Sequence, residues 1–233
     1  MTQPADRPGR GDQLAFDLAH ASSSGLADFI PGKSNRRPLE FLLAWPDWPH
    51  PATVLSGPSG SGKSHLARIW ADRAGADIVQ ASDIGAAAAG RRPRRVVVED
   101  LQRGPLDEPA LFHLFNLCVE PGGALLVTAN APPARLALSL PDLISRLRAA
   151  KLVEIDTPDD GLIEAVLVKL FADRQLEIGP DITAFALARM ERSLEAARAL
   201  VARVDRIALS ESRRVSKRLV ARALQQMPPS AGD

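Results

Sequence analysis

The stretch Thr53-Val54-Leu55-Ser56-Gly57-Pro58-Ser59-Gly60-Ser61-Gly62-Lys63-Ser64 decides the fold. It opens on a short apolar run that predicts a buried strand. It closes on G-x-x-x-x-G-K-S, with glycines where backbone N–H groups must curl around a phosphate and a lysine to reach the phosphate oxygens. The residues that follow, Lys63 to about Arg73, carry Leu66, Ile69 and Trp70 at helical spacing. Strand, glycine-rich loop and helix in that order make a P-loop, and the positive end of the helix faces the same phosphates. Gly57, Pro58, Ser59, Gly60, Ser61, Gly62, Lys63 and Ser64 are thus read as nucleotide-binding residues. Lys63 supplies charge to the β/γ oxygens and the Ser64 hydroxyl is placed for Mg²⁺. The implied ligand is a purine nucleoside di- or triphosphate.

Outward from this stretch, apolar runs and helical patterns alternate. Further strands are predicted at Ile78–Gln80, Arg94–Asp100, Ala124–Asn130 and Leu152–Ile155. Helices are predicted at Pro38–Ala44 with Leu39, Leu42 and Leu43 inward, and at Leu111–Val119 with Leu111, Leu114, Phe115 and Cys118 on one side. An Ala-rich helix capped by Ser82 or Asp83 follows the second strand. The prolines of Trp45-Pro46-Asp47-Trp48-Pro49 forbid regular pairing, so that segment is a loop. This alternation predicts an α/β fold with a parallel five-stranded sheet covered on both faces.

After Ile155 the pattern becomes helical throughout. Thr157-Pro158-Asp159-Asp160 predicts a helix start, with Thr157 as N-cap and Pro158 in the first helical position. Leu162, Ile163, Val166, Leu167 and Leu170 form one apolar stripe, and Leu194, Ala197, Val201, Val204 and Leu209 another. The expected organisation is a segment 1–25, an α/β domain 26–156, a small helical domain 157–227 and a tail 228–233.

Composition narrows the classes. Lys+Arg 29 against Asp+Glu 28 leaves a net charge of +1, which provides no broad electrostatic footprint for nucleic acid. The single cysteine, Cys118, can form neither an intramolecular disulfide nor a cysteine metal cluster, and it reads as a small core residue. Lack of an apolar run of membrane-spanning length, and of a signal-like N-terminus, gives the expectation of a cytoplasmic protein without membrane attachment. Residues 1–12, rich in Pro and Gly, predict disorder. Beyond them Gln13-Leu14-Ala15-Phe16-Asp17-Leu18 is an apolar island before the Ser-rich stretch 20–25. It is either a first strand or a peptide held out for a partner.

Five further positions are candidates for chemistry. Glu99-Asp100 ends a buried strand, where one carboxylate can hold a metal through water and a second can orient an attacking water. Asn130, closing the fourth strand, can position that water if its strand neighbours the P-loop strand, or simply open the turn Ala131-Pro132-Pro133. Arg146, in Ser145-Arg146-Leu147-Arg148, reads by itself as part of a solvated basic face. Arg192 could fold back onto the nucleotide or lie on the surface. His65 reads as structural, and no spacing suggests zinc or a Ser-His-Asp set.

Taken together these motifs resemble the AAA+ nucleotidase module of the DnaA family of bacterial replication initiators, over about residues 13–226. Phe29-Ile30-Pro31-Gly32-Lys33-Ser34-Asn35 resembles that family's entry to the nucleotide pocket, which implies that Phe29, Ile30 and Asn35 touch the nucleotide. Gly57–Ser64 is similar to Walker A, Val96–Asp100 to Walker B, Leu126–Asn130 to sensor 1, Ser145-Arg146-Leu147 to the arginine-finger box and Arg192-Ser193-Leu194-Glu195 to sensor 2. The resemblance gives Glu99 and Ser64 the metal, Asp100 and Asn130 the water, Arg192 the nucleotide and Arg146 a neighbour's γ-phosphate.

Two features point within the family. The chain is expected to lack the initiator's C-terminal helix-turn-helix domain, and hence sequence-specific DNA binding of its own. The Gln13 segment is similar to peptides that bind the β sliding clamp of DNA polymerase III, with Gln13 in a polar pocket and Leu14, Phe16 and Leu18 in an apolar one. That combination resembles the Hda family of regulatory inactivators of DnaA, in its alphaproteobacterial form. The resemblance implies ADP or ATP with Mg²⁺ as ligands, the DNA-loaded clamp and DnaA as partners, a homodimer or oligomer as a possible assembly, and slow intrinsic ATPase activity. The competing readings are a helicase loader of the DnaC type and a nucleic-acid-dependent transposition ATPase.

Overall fold

The computed structural model describes residues 25–85 and 94–227. The Gln13–Leu18 peptide, the tail from residue 228 and most of the expected Ala-rich helix lie outside the described residues. Five strands, β1 (Ala52–Ser56), β2 (Asp77–Gln80), β3 (Arg95–Glu99), β4 (Ala124–Ala129) and β5 (Lys151–Glu154), form one sheet in the order β2-β3-β4-β1-β5. Every pairing is parallel. The P-loop strand β1 lies beside β4, with Ser56 opposite Ala129.

The near-continuous apolar runs of β1, β3 and β4 follow from burial on both faces. Val96 and Val98 enter one core with Val54, Leu125 and Val127, under α3 (Glu108–Cys118) and α4 (Pro141–Ala149). The alternate residues Val97, Leu55 and Leu126 enter another, under α1 (Arg36–Leu43) and α2 (Lys63–Ala74). This is the two-residue period of a strand turned into two layers. Local signals set the ends. Asp107 accepts a hydrogen bond from the Ala110 N–H at 2.9 Å and so starts α3 ahead of Leu111. The loop after α1 is fastened by Trp48, whose ring stacks between Phe41 and Trp70 with centroids 5.3 and 5.0 Å away.

Beyond β5 four helices, α5 (Asp160–Ala172), α6 (Pro180–Leu187), α7 (Leu194–Glu211) and α8 (Lys217–Gln225), surround a third core that includes Ile163, Phe171, Leu200, Val204 and Val220. Two expectations are corrected here. The N-cap of α5 is Asp159, not Thr157: its carboxylate accepts from the Leu162 N–H at 2.8 Å. Pro158 is buried in the connection ahead of the helix instead of standing in its first turn. Leu209 is 73% exposed, and Ala208 takes the inward place, four residues after Val204 on the same face. Among the described residues no helix is long and apolar enough to cross a membrane.

Candidate nucleotide-binding site

β1 ends at Ser56, the chain loops through Gly57–Gly62, and α2 begins at Lys63. Gly57 has no room for a side chain: a Cβ there would collide with the side chain and carbonyl of Ile155. Gly62 precedes α2 without a side-chain cap, so the first N–H groups of the helix face the concavity of the loop. The Lys63 side chain, 5% exposed, donates to the carbonyls of Gly57 at 2.7 Å and Pro58 at 2.8 Å. Burial lowers its pKa, and the charges of Asp100 and Glu195 oppose that in part. The Ser61 hydroxyl is buried without a hydrogen-bond partner, whereas Ser64 is exposed to the cleft.

The cleft itself, about 520 Å³, runs between the loop and the start of α7. Ser59, Gly60, Gly62, Lys63, Ser64 and His65 form one wall; Asp100, Gln102, Arg103 and Asn130 close one end; Leu194, Glu195 and Arg198 come from the helical layer. Asn130 reaches it because β4 adjoins β1, and its N–H donates to the Gln102 side chain at 2.8 Å. Asp100 adopts a left-handed backbone, φ 55°, as the chain leaves β3, and its N–H donates to Thr128 Oγ1 at 2.9 Å. That turn brings its carboxylate to the cleft. Glu99 lies beneath, 7% exposed, with Oε2 accepting from Gln80 Nε2 at 3.0 Å and Oε1 buried without a partner.

The oxygen donors suit Mg²⁺, which favours one or two carboxylates together with phosphate oxygens and water. Ser64 and Asp100 front the cleft, and the unpartnered Oε1 of Glu99 adds a carboxylate oxygen below. Among the described residues no group of three or more His, Cys, Asp or Glu side chains forms a metal cage. A cation here would therefore depend on nucleotide phosphates for part of its shell.

The remaining expected residues are distributed around the cleft. Phe29, Ile30 and Asn35 are absent from its lining and instead build the segment that leads to it. Asn35, 2% exposed, accepts from the Gly32 N–H at 2.7 Å and donates to the Ile30 carbonyl at 3.1 Å. Phe29 meets the His65 ring edge-on at 5.2 Å, and Ile30 packs against the helical core. His65 thus belongs to the cleft wall, a placement that its reading as a structural residue left out.

Arg192 stands apart from the lining. It grips Asp160 through Nε at 2.8 Å and Nη2 at 3.3 Å. The helical layer's guanidinium in the cleft is that of Arg198, whose Nη2 approaches His65 Nδ1 at 3.2 Å. Lost hydration lowers the Arg198 pKa, and Glu195 opposes the shift. Arg146 is exposed in the last turn of α4 and takes no part in this cleft.

No protein-family model matches the chain. Its fold is shared with domain III of the Thermotoga maritima replication initiation protein DnaA, with a TM-score of 0.76 at 15% identity over 88% of this chain and 96% of that one. AMPPCP-bound DnaA from Aquifex aeolicus aligns with a TM-score of 0.64 at 19% identity, over 78% of this chain and 64% of that one. The Thermotoga maritima RuvB Holliday junction branch migration motor gives 0.65 at 18%, over 87% and 71%. The chain therefore has the AAA+ fold: a parallel five-stranded α/β core followed by helices.

Proposed function

We propose that this chain is a nucleotide-latched regulator of replication initiation that stimulates the hydrolysis of ATP bound to DnaA while docked on the DNA-loaded sliding clamp. The observation that carries the proposal is the position of Arg146. It is exposed at the end of α4, outside the chain's own cleft, on a fold shared with a replication initiator module. A guanidinium so placed is available to a neighbouring subunit and idle toward its own nucleotide.

In this reading the chain's own cleft holds ADP or ATP. Lys63 and the loop N–H groups bind phosphate, and the bound nucleotide sets the position of the helical layer through α7. Mg²⁺, when bound beside the phosphates by Ser64, Asp100 and Glu99, neutralises their charge. Arg146 meets the γ-phosphate of the ATP held by DnaA. There, water attacks the γ-phosphorus, the bond to the bridging oxygen breaks, and negative charge builds on the oxygens that Arg146 faces. An arginine supplied across an interface accelerates such transfers by roughly 10³–10⁵ in well-studied nucleotidases. Gln13, Leu14, Phe16 and Leu18 anchor the chain to the clamp and so concentrate it near DnaA.

The test is an ATP-hydrolysis assay of DnaA with clamp loaded on DNA, with and without this chain. Accelerated hydrolysis that requires clamp supports the proposal; an unchanged rate refutes it.

A further inference from the structure

Two arginines, Arg192 and Arg198, flank the start of α7, and the structure separates their roles. Arg192 is engaged by both oxygens of Asp160, a two-point fork that occupies the guanidinium. Arg198 lines the cleft, where its hydrogen bond is to a side chain of the P-loop helix and not to a carboxylate fork. Its one hydrogen bond of note runs from Nη2 to His65 Nδ1, at 3.2 Å. For Nδ1 to accept, the imidazole must be neutral with its proton on Nε2, which faces the Gly25 carbonyl at 3.3 Å. A guanidinium with five donors thus lines a phosphate cleft with one neutral acceptor hydrogen-bonded to it and the Glu195 carboxylate nearby.

Its place along the cleft follows from the fold. Leu194 N–H donates to the Gly60 carbonyl at 2.8 Å, fixing the start of α7 over the loop. Arg198 follows four residues later, one turn on, and so lies on the same face. Asp100, Gln102, Arg103 and Asn130 mark the γ-phosphate end, at the tips of β3 and β4. His65 is the residue after Ser64, on the opposite wall from that end, and its ring meets Phe29. In a P-loop the backbone N–H groups cradle the α- and β-phosphates, while the lysine reaches the β and γ.

We propose that Arg198 is the residue by which the helical layer grips a bound nucleotide at its α-phosphate, a grip that diphosphate and triphosphate share equally. On binding, Arg198 exchanges the neutral imidazole of His65 for an anionic oxygen, a stronger charge-assisted bond. The inference rests on the reading of this cleft as a nucleotide site.

The experiment measures fluorescence anisotropy of N-methylanthraniloyl-labelled ADP and ATP with the full chain and its variants. Arg198→Ala is expected to weaken both nucleotides by the same factor, about tenfold or more. Arg198→Lys, which keeps the charge without the fork, is expected to fall between. Thermal melting without nucleotide is expected to match the wild type, because the side chain lies at the mouth of the cleft. Affinities of Arg198→Ala within twofold of wild type for both probes would overturn the inference. So would a loss confined to ATP, which would place the guanidinium at the γ end. Wild-type chain that binds neither probe, or Lys63→Ala that binds both normally, would instead remove the nucleotide reading itself, and the inference with it.

Discussion

The Leu194 N–H donates to the Gly60 carbonyl at 2.8 Å, so the first residue of α7 is pinned to the middle of the phosphate loop. The same contact leaves no space at Gly60. Its φ is +68°, and a Cβ there would lie 2.6 Å from the Ser193 Cβ. Ser193 is in turn committed as the N-cap of α7, accepting from the Ala196 N–H at 3.0 Å. Gly60→Ala is therefore expected to cost about 1–2 kcal/mol in backbone strain alone and to push α7 off the loop. Nucleotide affinity should fall by more than stability does. Isothermal titration with ADP beside chemical denaturation checks this; unchanged affinity would show that the pinned contact does not govern the cleft.

Asn35 supports the other side of the cleft. It turns its amide back on Ile30 and Gly32 and leaves the first turn of α1 without a side-chain cap. Asn35→Ala leaves a donor and an acceptor in the segment Ile30–Gly32 without their partner, at an expected cost of about 1–3 kcal/mol. For a chain of this size each kcal/mol lowers Tm by roughly 2–4 °C. A melting temperature equal to wild type would show that water replaces the amide. Loss of this clamp is also expected to loosen Phe29 from His65.

Local chemistry made much of this legible, and the losses have physical causes. β1, the loop and α2 were readable because strand burial, glycine geometry and helical spacing agree over twelve consecutive residues, Thr53–Ser64. The roles of Glu99 and Asp100 were not separable by adjacency. Glu99 obeys the strand period and shares Val97's face, whereas Asp100 turns to the cleft only because the backbone reverses at φ 55°. Arg192 and Arg198 differ through Asp160, thirty-two residues from Arg192, a pairing no local pattern encodes. Thr157 and Asp159 are both good caps, and it is the Asp159 carboxylate that accepts the helix N–H, from Leu162, with Pro158 buried ahead of it.

Cys118 offers a pH-dependent prediction. It is fully buried among Leu111, Leu114 and Phe115, and burial pushes its pKa up to about 12. The unfolded thiol ionises near its ordinary value of 9.0. Above that pH the unfolded state releases a proton that the folded state retains, so stability declines as pH rises. The slope for this one group is about 1.4 kcal/mol per pH unit between the two values. The chain contains no tyrosine, and the lysines that also titrate near pH 10 are common to wild type and variant, so the difference between the two isolates the thiol. Denaturation at pH 8 and pH 10.5 is expected to show a larger loss for wild type than for Cys118→Ala, although the variant starts lower because of its cavity. Equal losses would mean that the thiol does not contribute.

Arg146 and Arg148 provide an internal control for the proposed activity. Both lie in the last turn of α4 and both are exposed, while Leu143 and Leu147 between and before them are buried and hold the helix to the sheet. Two residues along a helix is a rotation of about 200°, so the two guanidinium groups leave the helix in different directions. Only one of them can face a given partner site. Arg146→Ala is expected to reduce the stimulation of DnaA-bound ATP hydrolysis by about 10³-fold, the lower part of the range for a supplied arginine. Arg148→Ala should alter it by no more than a few-fold, through long-range charge. Both variants should keep nucleotide affinity, because neither side chain lines the cleft, and both should keep clamp binding, because the Gln13–Leu18 peptide is untouched. Hydrolysis rates measured at matched clamp occupancy separate recruitment from chemistry. Retained stimulation by Arg146→Ala, or an equal loss in both variants, would remove Arg146 as the residue that reaches the partner's γ-phosphate.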